Sequence, residues 1–378
     1  MAKHNLFSFC IGVAVLLCSC SNNVKTDNAG LLNLNYQLTH SIDSTRLNPE
    51  VSSGHGMLAA DSANIYLLDF KFGTLSVFDF NGGFQKRLFG LGKGPHELPF
   101  IPHKFGISPS GTIVFVGDHS ISFGSITESS VKTLSTNWMV STPINVLQNK
   151  PKGSMSGIYE VDWSKAENRI ALSDSLIYLP IIAYHPLLNG YMHSKYYKTT
   201  RVVGAFNYNG ELVTMFGERS KEYLKQKFIA NFDKAYIAHG SNLTYISFAI
   251  DSLIYVYDNN GKLVTEFGKG YPNLNQNYPK HASYEIAESN YISDWANFGT
   301  YQSIKYSPTD SVLVRLIFPK AGEKTALQLF KNNAYVGSIT TPKNFKLAYI
   351  DTGVIIGHTI PSETSREINL VTITYSID

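Results

Sequence analysis

Cysteine is almost absent: the 378 residues hold three, Cys10, Cys18 and Cys20, all within the first twenty. Nothing beyond Cys20 can carry an internal disulfide framework or a cysteine-based metal site. Charge is scarce as well, at 16% of residues, and 32 Lys and Arg nearly balance 29 Asp and Glu. That balance excludes the basic footprint of a nucleic-acid binder. Long apolar runs are missing apart from Leu6 to Leu17. As a helix, that run of roughly twelve residues rises about 18 Å, short of a ~30 Å hydrocarbon core. The His-Glu-x-x-His pattern of zinc proteases does not occur, and Gly153-Ser-Met-Ser-Gly157 lacks the spacing of a nucleophile elbow. Asp258-Asn-Asn-Gly261 lacks the sixth-position Gly and later Glu of a calcium loop.

What stands at the front is an export signal. Lys3 and His4 supply a positive start, the apolar run follows, and it closes on Leu17-Cys18-Ser19-Cys20. That closing tetrapeptide resembles the lipobox cut by lipoprotein signal peptidase, with Leu17 three places before Cys20 and small Ser19 immediately before it. Residues 1–19 are then the signal peptide and Cys20 the lipidated N-terminus, with an ordinary secretory signal as the alternative. Residues 20–30 read as a polar tether. Ser21 after the cysteine resembles outer-membrane sorting rather than inner-membrane retention; whether the chain faces the periplasm or the exterior stays open.

The remainder, 31–378, reads as one repeat-built domain, rich in Tyr (23) and Phe (22), residues that favour strands. Phe206-Asn-Tyr-Asn-Gly-Glu-Leu-Val-Thr-Met-Phe-Gly217 and Tyr257-Asp-Asn-Asn-Gly-Lys-Leu-Val-Thr-Glu-Phe-Gly268 align without a gap. A third copy, Phe78 to Gly90, needs one extra residue, as a β-bulge allows. Each reads as strand, Asn-Gly turn, strand, and the dipeptide predicts a type I′ turn. Two further strand-like runs precede each copy, which makes four strands per unit, a propeller blade. The units begin near His55, His103, Ile158, Tyr236, Tyr301 and Phe345. The last has only three strands, and Leu32 to Ile42 is a strand-like segment without a blade of its own. It is expected to close the ring as the missing outer strand, removing an exposed sheet edge. The fold class is therefore an all-β six-bladed propeller, with seven blades as the alternative if the 158–217 stretch holds two. Helix is scarce; Ser220 to Asn231 suits a short amphipathic helix with Tyr223, Leu224 and Phe228 on one side and Lys221, Lys225 and Lys227 in solvent.

The repeat, hydrophobic–Asp/Asn–x–Asn-Gly followed by Phe-Gly, resembles NHL-type propellers. With the lipobox, the chain is similar to six-bladed propeller lipoproteins of Gram-negative bacteria whose role is unsettled. Their Gly-rich stretch after the first blade stands here as Gly90-Leu-Gly92-Lys-Gly94-Pro95-His96-Glu97, with His96 where Gly is usual. The resemblance implies the fold and supplies no catalytic residue. Pro95, Pro99 and Pro102 forbid the helix that a phosphate-cradling Gly loop must open, so this stretch reads as an inter-blade turn.

Two sets of residues remain as candidates. His55, His103, Tyr159, Tyr236 and Tyr301 fall at the starts of innermost strands, where they either line a ligand site at the channel mouth or pack its rim. The Asp-Ser triplets at Ser44, Ser62, Ser175, Ser252 and Ser311 resemble the acceptor motif of a bacterial O-glycosylation system; equally, Asp-Ser starts turns well. No catalytic, metal or cofactor residue is nominated. The expected role is a non-enzymatic binding or scaffold module at the cell envelope, tied to the bilayer through acylated Cys20, with a protein or glycan partner and no nucleic acid. The alternatives are an envelope lyase or hydrolase acting on glycan or peptide at the channel mouth, and a sensor or accessory part of a nutrient-uptake system.

Overall fold

The computed structural model describes residues 36–47, 52–127, 130–162, 169–272, 274, 277–320, 322–360 and 367–378. The signal, Cys20, the tether and the first four residues of the Leu32–Ile42 segment lie outside the described residues.

Six small antiparallel sheets make up the fold. Their innermost strands are Gly56–Ala60, Lys104–Ile107, the pair Tyr159–Val161 and Ala171–Leu172, Ala235–Gly240, Thr300–Ser307 and Lys346–Asp351. Each lies against the next and the sixth lies against the first, so the sheets form a closed ring. The chain is a six-bladed β-propeller, with blade three a single unit whose inner strand is split; both pieces pair with Leu176–Ala183. Closure follows the expected route. Leu38–Arg46 pairs antiparallel with the last strand, Asn369–Ile377, from Leu38 opposite Ile377 to Arg46 opposite Asn369. The N-terminal strand is thus the outer strand of blade six.

The core sits between blades, and this explains the composition of the second strands. Side chains alternate across a strand, so both faces of a blade meet a neighbour. In blade one, Tyr66 and Leu68 pack with Phe105, Ile113 and Phe115 of blade two. Ile65 and Leu67 point the other way, onto Ile356 and Leu370 of blade six. Ile65–Asp69 is therefore buried at every position and reads as a continuous apolar run closed by an aspartate. Each fully buried Leu or Ile contributes about 1.5–3 kcal/mol relative to exposure.

The repeated hairpins form, but their turn type differs from the expectation. A type I′ turn needs positive φ at both central residues. Here only the glycines have it: Gly82 at +80°, Gly210 at +78° and Gly261 at +73°. Each is a type I turn closed by a glycine bulge. The amides of Gly82, Gly210 and Gly261 donate to the carbonyls of Asp79, Asn207 and Asp258, three residues back. The reason is the side chain that opens each turn. Asp79 Oδ1 accepts from the amides of Asn81 at 2.8 Å and Gly83 at 2.9 Å. Asn207 and Asp258 accept in the same way from their second and fourth following amides. That Asx geometry holds the first central residue in the right-handed region and leaves a left-handed conformation only to the glycine. Genuine two-residue loops with both φ positive occur elsewhere, at Ser241-Asn242 and Asn332-Asn333. The extra residue of the first copy is Leu88, passed over where Leu75 pairs with Phe89 and Ser76 with Arg87.

Helices cluster on one side of the ring. Lys221–Gln226 forms within the expected segment, with Tyr223 buried, and stops where Lys227 and Phe228 take positive φ. A longer helix, Tyr284–Asn297, was not expected; the Ser283 hydroxyl accepts from the Ile286 amide at its start. No described helix is long and apolar enough to cross a membrane.

Candidate functional site

The five residues expected at the channel mouth do sit at or beside inner-strand starts, and most are turned to local work. His55 is exposed. His103 Nε2 lies 2.5 Å from Asp118 Oδ1. The Tyr159 hydroxyl donates to the Gly153 carbonyl at 2.6 Å and accepts from the Arg201 amide at 2.8 Å, tying two connections of blade three together. Tyr301 accepts from the Tyr271 amide, and its ring carries the Arg315 guanidinium at 4.0 Å. Buried Tyr236 has Arg169 at 5.8 Å from its ring centre.

The channel cavity opens at the other ends of the inner strands, and none of the five lines it. About 560 Å³ in volume, it takes residues from all six blades, among them Ala59, Ile107, Leu172, His239, Lys305 and Tyr349. His239 Nδ1 lies 3.1 Å from Thr244 Oγ1 and its ring stacks on Tyr178 at 4.6 Å. Burial lowers its pKa, so the ring is neutral near pH 7.

A second feature is a cap built on blades three and four. The insertion after strand Leu176–Ala183 carries Tyr184, Tyr191 and Met192, and the helix Tyr284–Asn297 brings Tyr284 beside them. The Tyr191 and Tyr284 rings meet edge to face at 5.7 Å. Burial, with Tyr284, Asp233 and Tyr184 nearby, pushes the Tyr191 hydroxyl up to about 12. Tyr184 and Met192 are both 64% exposed and Tyr284 46%. Beside them a hollow of about 390 Å³ is lined by Tyr191, Met192, Phe228, Lys280 and His281.

What holds this surface is buried. Arg219 Nε and Nη2 clamp Asp233 at 2.8 and 2.7 Å, the Tyr196 hydroxyl donates to the same carboxylate at 2.6 Å, and Arg219 also reaches Thr200. The pair anchors the insertion helix Ser194–Thr199 to the connection before blade four. Despite full burial, the aspartate raises the arginine's pKa above its ordinary value. The longer helix is docked by Asn231, whose amide donates to the Ala287 carbonyl and to Asp294 at 2.7 Å. His281 also meets Asp294 at 2.7 Å, and Phe232 packs among Tyr278, Trp295 and Phe298. The cap residues were not among the sequence candidates. The signal for them was there in Tyr284, Tyr291 and Trp295, spaced by seven and four along a helix.

The glycine-rich stretch closes on itself. The Gly94 amide donates to Glu97 Oε2 at 2.8 Å, and Glu97–Leu98 pairs parallel to Gly90–Leu91. Of the Asp-Ser serines, Ser44, Ser62 and Ser175 are exposed, and Ser252 and Ser311 are half-buried. Two of the aspartates have turn work: Asp61 accepts from the Ala63 amide and the Tyr66 hydroxyl, and Asp251 from the Leu253 amide and the Tyr255 hydroxyl.

A six-bladed propeller with a closed ring, an axial cavity and a tyrosine-bearing cap is the class that these observations define. Among solved structures, a member of the DUF4221 family from Bacteroides vulgatus superposes with a TM-score of 0.59 at 14% identity, over 91% of this chain and 99% of that one. A Bacteroides fragilis protein described as exported gives 0.50 at 12%, over 89% and 95%. A protein of unknown function from Bacteroides thetaiotaomicron gives 0.46 at 8%, over 89% and 76%. The first two likenesses are of fold alone. No family model and no curated protein matches the chain.

Proposed function

We propose that the chain is an envelope lipoprotein, anchored through Cys20, that binds a protein partner without catalysis through the tyrosine-lined cap. The observation that carries this is the cluster of Tyr184, Met192 and Tyr284, solvent-facing beside half-buried Tyr191 yet set on a rigid buried network. Exposed aromatic surface of this kind marks interaction sites, and a tyrosine offers contact area with few torsions to freeze. The signal and lipobox supply the anchor, and the exported description of the Bacteroides fragilis likeness agrees with a place outside the cytoplasm. Ser62 and Ser175, exposed in first turns on the same face of the disc, are the best-placed acceptors if the chain is O-glycosylated; intact-mass spectrometry of native protein showing lipid and no glycan removes that part.

The test is a crosslinked pull-down of the native, lipidated protein from its own membranes, beside a Tyr191→Asp/Tyr284→Asp variant. A stoichiometric protein captured by the wild type and lost from the variant is the expected result. An empty wild-type capture, or equal capture by both, overturns the cap as a protein-binding surface. A glycan co-purifying in its place moves the partner to that class.

A further inference from the structure

We propose that the axial cavity is a binding site for a small organic carboxylate, with Lys305 as its counter-ion. Lys305 lies on the inner strand of blade five, opposite Val314, and lines the cavity. It keeps some accessible surface there, and among the described residues it makes no ion pair and no hydrogen bond. A desolvated cation with no carboxylate beside it is costly, and a ligand that brings the missing negative charge removes the cost.

The other titratable residues of the cavity do not neutralise it. They are Asp61, Asp174, His239, Tyr306 and Tyr349. The Asp61 carboxylate is spent on the Ala63 and Asn64 amides and the Tyr66 hydroxyl. Asp174 is exposed at the rim. His239 is neutral near pH 7 for the reason given above. The Tyr349 hydroxyl donates to Asp351. Burial alone draws the Lys305 pKa down, to about 8, with no neighbouring carboxylate opposing it.

The walls define the ligand further. Ile107, Ile170, Leu172 and Ile237 are apolar, whereas the rim toward the first turns carries Ser62, Ser108 and Asn242. One positive charge, an aliphatic wall and a hydroxylated rim suit a singly charged acid with an apolar body. A volume of about 560 Å³ is in the range of small-molecule sites. This site is separate from the cap and stands or falls without it.

Benzoate and its neutral analogue benzamide, titrated calorimetrically into the lipid-anchored chain in detergent, test the assignment. Benzoate should bind at least about tenfold more tightly than benzamide, the worth of one charge-assisted hydrogen bond. Lys305→Met should abolish that preference and Lys305→Arg should keep it, while Tyr284→Asp in the cap changes neither affinity. Equal affinities for the two probes, an unchanged preference in Lys305→Met, or no benzoate binding at millimolar concentration overturns the proposal.

Discussion

Two halves of the ring are held by different means. Between blades five and six only Asn344 and Phe345 intervene, and blade six closes on the N-terminal strand before blade one begins. Here apolar faces do the work, Leu347, Ile355 and Val371 meeting Val312, Val314 and Leu327 across the interface. Around blades three and four the chain departs from the sheet repeatedly, in the insertion after Ala183 and in the connections that follow Glu218 and Gly268. Those excursions are fastened by Arg219 on Asp233, by Asn231 and His281 on Asp294, and by the aromatic packing of Phe232. Apolar packing is tolerant of exchange, whereas a buried ion pair fails badly when one partner goes. The proposed binding surface sits on the half with the more exacting supports.

The sharpest test of that contrast is Asp233→Asn. It leaves the Arg219 guanidinium, with a side chain only 2% exposed, without its carboxylate. A loss of about 3–5 kcal/mol in urea unfolding is expected, with earlier amide exchange in Ser194–Thr199. Adding Arg219→Met should recover much of it, since the cost is the unpaired charge. Glu218→Gln, which breaks the exposed Arg201 pair at 2.7 Å, should cost under about 1 kcal/mol. Similar losses for the two substitutions would remove the distinction between the buried clamp and an exposed ion pair.

The repeating blades were the legible part. Blade boundaries followed from local signals such as Asp61-Ser62 and the Asn-Gly pairs, and ring closure followed from a missing strand in the last unit. Both are decided within a few residues or by simple counting. The turn type was misjudged because the dipeptide was read without Asp79, Asn207 or Asp258, the residues whose side chains select it. The anchors of the cap could not be read that way. Tyr196, Arg219 and Asp233 converge across 37 residues of chain, and Asn231 reaches Asp294 across 63. Lys305 was passed over because its place in the channel depends on the register of all six inner strands at once.

His358 is a polar liability in the half held by apolar faces, and acid should expose it. Neither ring nitrogen of His358, 3% exposed in blade six, has a hydrogen-bond partner. Burial, with Lys346 nearby, lowers its pKa to about 3. The unfolded chain takes up a proton near pH 6.5 and the folded one does not until about pH 3, so this group weakens the fold as pH falls through that window and adds no protonation cost above it. Replacing it in His358→Leu should leave stability at pH 7.5 within about 1 kcal/mol of wild type and gain about 2 kcal/mol at pH 4, roughly half of full linkage. Parallel loss in both proteins between pH 7 and 4, followed by chemical denaturation, would place the acid sensitivity elsewhere.

The smallest expected effects lie in the hairpins that the two halves share, and their order tells the two turn types apart. In the copy Tyr257–Gly268, Gly261→Ala puts a side chain at φ +73° and 2.7 Å from Phe216 Cβ, so it should cost about 1–2 kcal/mol. Asp258→Ala removes the acceptor of two amides in an exposed turn and should cost about 1 kcal/mol. Asn260→Ala should cost less than about 0.5 kcal/mol, because Asn260 keeps a negative φ and its special conformation is not needed. A type I′ turn would reverse the last two, since alanine tolerates positive φ far worse than asparagine. Thermal denaturation of the three variants therefore reads the turn directly, and the same order at Gly210, Asn207 and Asn209 would show that one local rule serves both copies.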